Sequence, residues 1–219
     1  MKRFWRDNGL SIAVFVLFLI FWVGQALTGW RDEVDERRAH GATPPTFMQY
    51  LGSGSFLEAT TENWESEFLQ MFGYVLFTAF LYQRGSAESK SPDEAEQVDR
   101  DPRGSPRQDA PGPVKAGGWR LRLYENSLSL AFFALFAVSF VGHAVGGAAA
   151  YNEEQRLHSA PTVTVGEFLM RPRFWFESFQ NWQSEFLAIW SMVVFSIYLR
   201  QRGSPESKPV DSPHSQTGG

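Results

Sequence analysis

Residues 9–29, GLSIAVFVLFLIFWVGQALTG, run for a full helical membrane crossing without one Asp, Glu, Lys or Arg. A helix needs about 20 apolar residues to cross the hydrocarbon core, and it must satisfy its backbone internally while doing so. Residues 127–150, SLSLAFFALFAVSFVGHAVGGAAA, do the same a second time. A soluble bundle helix of this length would show one polar face, whereas Leu10 to Leu27 offers only Ser11, Gly24 and Gln25 as relief.

The second stretch is a copy of the first. Set against itself with Asn126 on Asn8 and Asn181 on Asn63, the chain matches without a gap from Asn8 to Lys90. The identity is about four positions in ten. Each copy also carries a second apolar run, at 68–83 and 186–199. Alone these fall short of the membrane's roughly 30 Å; they reach it if the preceding NWxSEF segment enters the boundary. The expected architecture is all-α: an integral membrane four-helix bundle made of two tandem, parallel two-helix repeats. Residues 1–84 form the first hairpin, with helices at about 9–29 and 64–83, and residues 119–202 the second, with helices at about 127–150 and 182–200. Residues 85–118 and 203–219, rich in Ser, Pro, Gly and acidic residues, read as a disordered linker and a disordered tail.

The basic residues set the orientation. The N-terminus, the linker with its flanks and the tail hold 14 of the 20 Lys and Arg, which places both termini and the linker on the cytoplasmic side. Because each copy crosses twice, both point the same way. The mildly negative mean hydropathy reflects polar segments diluting four apolar ones. A net charge of -4 argues against a nucleic-acid partner, and the absence of cysteine excludes disulfides and thiolate-ligated metal.

Several residues carry candidate chemistry. Gln25 and His143 occupy the same place in the two first helices, beside matched glycines; Gly142 and Gly146 form a small-xxx-small pair. Within lipid such polar groups face the protein interior, so they are either packing residues or contacts for a proton or ligand. The repeated NWESEFL and NWQSEFL give Asn63 and Asn181 as helix N-caps, with Trp64 and Trp182 as interface anchors. Their Glu67 and Glu185 sit slightly inside the boundary, where a pair of carboxylates could hold a cation or proton. In the outer loops, Glu36 and His40 match Glu154 and His158, a spacing that puts two metal ligands on one helical face per copy or else serves surface ion pairing. Aromatic and aliphatic residues around Phe47, Tyr50, Phe168 and Trp175 suit segments lying in the interface.

RDNGLS at 6–11, GQALTGW at 24–30, YNEEQR at 151–156, both NWxSEFL segments and the QRGSxESK exits resemble a family of small bacterial membrane proteins classed as a domain of unknown function. The resemblance implies bacterial origin and an integral membrane location, here the cytoplasmic membrane with multiple passes. It carries no catalytic or ligand residue with it. No phosphate loop, helical zinc histidine pair or nucleophile elbow is found, so no enzyme activity and no cofactor are expected. The expected role is structural or interactive: the lipid bilayer as partner, a protein partner through linker and tail, and room for oligomers. The alternative is a small cation or proton channel or transporter using the paired glutamates.

Overall fold

The computed structural model describes residues 2–104 and 107–218, without the Lys2 side chain; Ser105 and Pro106 of the expected linker lie outside the described residues. Among the described residues there are eight α-helices and no strand. They are α1 (Lys2–Ala39), α2 (Phe47–Leu51), α3 (Gly54–Phe80), α4 (Gly112–Ala116), α5 (Gly118–Glu125), α6 (Ser127–Leu157), α7 (Val165–Leu169) and α8 (Pro172–Tyr198). Two of them, α1 and α6, are long and apolar enough to cross a membrane.

The local chemistry at the end of α1 and the start of α2 recurs 118 residues further on. α1 ends where Gly41 turns left-handed, with Gly41 N–H on the Arg38 carbonyl and Ala42 N–H on that of Arg37 (3.1 and 2.8 Å). α6 ends on the same pair of bonds, from Ser159 to Arg156 and from Ala160 to Gln155. There Ser159 holds φ +54°, a conformation that glycine adopts at less cost. α2 and α7 each open on a reciprocal cap, Thr46 with Gln49 and Thr164 with Glu167.

The structure corrects the expected bounds of the second helix in each copy. Ser53 accepts the Phe56 N–H and so caps α3 ten residues before Asn63, while Pro172, suited to a first helical turn, opens α8. Asn63 and Asn181 are therefore helix-interior residues and not N-caps. Their side chains donate back to the carbonyls of Ala59 and Glu177, at 2.8 and 3.1 Å, the local bond that lets Asn persist within a helix. At 27 residues, α3 and α8 each extend about 40 Å, but their N-terminal halves are polar and neither is among the helices apolar enough to cross a membrane.

The contacts group into two units, Met1–Asn63 with Ser139–Phe176, and Trp64–Val138 with Glu177–Gly219. In the first, glycine positions on α6 let α3 approach to backbone contact. A Cβ on Gly146 would lie 2.5 Å from the Glu58 backbone nitrogen, and one on Gly142 2.7 Å from Thr61. Around them Ala144, Ala148, Phe168 and Phe174 form a small buried core. Trp22 packs on Phe56, with ring centres 6.1 Å apart, and donates to Thr60 Oγ1.

The second unit is built around α3 from Trp64 onward and α8 from Glu177 onward. Trp182 Nε1 donates to Glu65 Oε1 (3.0 Å), Gln70 Nε2 donates to the Glu185 carbonyl (3.2 Å), and Phe72 packs on Phe133. The linker carries turns, one 3-10 segment, Gln97–Asp99, and the short helix α4, and the tail carries turns. Lys208 of the tail is enclosed and donates to the carbonyls of Gly85, His214 and Gln216, and Ser86 bonds Ser196 at 2.9 Å.

Candidate functional site

The first unit holds a cluster of half-buried charge. Arg37, on the last turn of α1, donates to Glu33 one turn back (2.8 Å) and to Glu153 on α6. Ser55 donates to the other oxygen of Glu33. This ties α1, α3 and α6 together at a place where all three charged side chains are at most about a third exposed. Beside it, Arg173 at the start of α8 holds Glu154 at 2.6 Å and lies over the Tyr151 ring.

These groups wall a cleft of about 460 Å³. Six carboxylates line it, Asp32, Glu33, Glu36, Glu58, Glu153 and Glu154, against the guanidinium of Arg173, with Arg37 paired to two of the six. Tyr50 closes one side, packed so tightly under Gly29 that a Cβ there would strike its hydroxyl. Burial, and then the charges of Glu33 and Asp32, push the Tyr50 phenol above its ordinary value. Outside the cleft, the Glu167 carboxyl is held below the usual range by the Thr164 backbone N–H and then by the Thr164 hydroxyl.

Glu58 lines the cleft and reaches inward to His143. Its carboxylate and the His143 imidazole offer ligand atoms within 4.8 Å of each other. His143 is fully buried, and its ring stacks on Phe174, with centres 4.6 Å apart and planes 30° apart. Glu58 is seated by glycine: its Oε1 lies 2.9 Å from where a Gly147 Cβ would be. This is the electrostatics of a cation site, with a surplus of negative charge around a cleft and a fixed imidazole beside one of its carboxylates.

The other expected site residues fall as follows. Gln25 is half-buried on α1, next to the buried Ala26, and within the first unit it is Glu58 that brings a carboxylate close to His143. Glu67 and Glu185 both lie in the second unit, where Glu67 is exposed and Glu185 half-buried. His40 and His158 come together with ring centres 5.6 Å apart. Each donates Nδ1–H to the backbone carbonyl of its own Glu36 or Glu154 (2.9 Å), and the Glu154 carboxylate is taken by Arg173. Trp182 spends its indole N–H on Glu65. Glu58 itself escaped the sequence reading because residues 54–63 read as loop. Once that segment is helical, Glu58 and Thr61 lie on one face, a spacing that would have exposed it.

Fold and site together define an all-helical protein with two helices fit to cross a membrane and an acidic cleft reaching a buried histidine. The chain belongs to the family described as Domain of unknown function (DUF6766), whose model matches residues 1–219. No curated protein and no solved structure matches it.

Proposed function

We propose that the protein is a multi-pass protein of the bacterial cytoplasmic membrane, four helices formed by two tandem hairpins, with both termini and the linker cytoplasmic. Its role is to bind and to organise, without a catalytic step. Lipid, a protein contacting the linker and tail, and further copies of the chain are its candidate partners. The observation that carries the reading is the apolar surface of α1 and α6. Only 6% of the most apolar window of α1 is buried, and 17% of that of α6, whereas a core helix of a soluble protein would be mostly covered. Leu10 is 80% exposed, Phe21 69% and Val138 71%, so these faces want hydrocarbon around them. The matched turns and caps of the two halves support the hairpin duplication, and the basic residues at the termini and linker support the orientation.

Washing membranes that contain the protein in alkaline carbonate tests this. The protein is expected to stay with the membrane pellet and to leave it only in detergent; release by carbonate alone would remove the reading. The acidic cleft favours a second reading within the same membrane setting, in which the protein takes up or passes a cation.

A further inference from the structure

We propose that Glu58 and His143 hold one divalent transition-metal ion at the inner end of the acidic cleft. The donor chemistry is an imidazole nitrogen with a carboxylate oxygen, a combination that suits zinc, cobalt, nickel, iron or manganese better than calcium or magnesium, which prefer oxygen throughout. The reach is right as well. Two bonds of about 2.1 Å span up to about 4.2 Å between donors, so side-chain shifts of a few tenths of an ångström bring ligand atoms within 4.8 Å onto one ion.

Three further features fit a site. Phe174 stacks on the His143 ring and fixes its plane, so the imidazole is oriented before an ion arrives. Glycines at 146 and 147 seat Glu58 against α6 with no room for any side chain, which fixes the carboxylate relative to His143. Glu58 also opens onto the cleft, where five further carboxylates supply attraction and a route for a cation, while water completes the coordination.

The duplication makes the stoichiometry definite. The positions matching His143 and Glu58 in the other copy are Gln25 and Phe176, neither of which offers an imidazole or a carboxylate. One ion per chain is therefore expected.

Cobalt(II), whose visible absorption reports its ligands, is the probe. Titrated into the full-length, detergent-purified protein, it is expected to bind one equivalent with a d–d spectrum and to raise Tm. His143→Ala should abolish both signals and Glu58→Gln should weaken binding tenfold or more. His143→Gln, which restores the side chain found at position 25, keeps the bulk and serves if the alanine variant does not fold. Zinc should displace the cobalt. His40→Ala and His158→Ala should change nothing, since that exposed pair is the rival site. Absence of binding by the unaltered chain, binding retained without His143, or binding lost with His40 or His158 would each overturn the proposal.

Discussion

Replacing Gly146 with leucine should lower the melting temperature of the detergent-purified protein by about 10 °C, or prevent it from folding. The Cβ alone would sit 2.5 Å from the Glu58 backbone nitrogen and 3.0 Å from its Cα, and backbone cannot rotate aside as a side chain can. α3 and α6 would have to part, and overpacking of this kind costs about 3 kcal/mol or more, a shift of that order in a chain this size. Gly146→Ala already meets the clash and should show much of the loss. Gly24→Ala is the control: a Cβ there meets nothing within 4 Å, so the exchange should be neutral or slightly stabilising through helix propensity. Thermal unfolding followed by circular dichroism gives the comparison, and equal melting temperatures for the Gly146 and Gly24 variants would show that α3 and α6 do not meet at this glycine.

Arg37→Met should be the next most damaging change. Arg37 is the shared cation of Glu33 and Glu153, and its side chain is only 18% exposed while that of Glu33 is 14% exposed. Removing it leaves two neighbouring carboxylates to repel each other in a half-dry pocket, where breaking one partner of a pair costs about 2 to 3 kcal/mol, less than in a full interior because water still reaches Glu153. Adding Glu153→Gln to Arg37→Met should recover part of the loss, a coupling that independent sites would not show. Arg38→Met, whose side chain is two-thirds exposed and 3.7 Å from an exposed Asp35, should change stability by a few tenths of a kcal/mol at most. Differential scanning fluorimetry on these three variants, with Glu153→Gln alone as the fourth, decides the matter.

What could be read from the sequence depended on whether the signal was local. The apolar helices α1 and α6 announce themselves because a charge-free run of that length has few other uses, and the glycines at 142 and 146 mark a close approach without saying to what. The starts of α3 and α8 are hidden for an equally local reason. Asn before an apolar run is the mark of an N-cap, and only the i−4 bonds of Asn63 and Asn181 show it serving inside a helix. The Glu58–His143 pair and the Arg37–Glu153 bridge join residues from different copies, 116 positions apart in the second case. No spacing rule reaches across such a gap. The pairing of α3 with α6 must be known first, and it rests on glycine geometry that a sequence pattern suggests but does not place.

The two proposed hairpins insert in the same sense, and the natural lack of cysteine makes this directly measurable. Single cysteines at Thr43, Asp109, Thr162 and Ser215, all exposed, can be treated in intact cells with a membrane-impermeant maleimide. Thr43→Cys and Thr162→Cys are expected to label from outside, and Asp109→Cys and Ser215→Cys only after the membrane is opened. Labelling of positions 109 and 162 from the same side would contradict the arrangement.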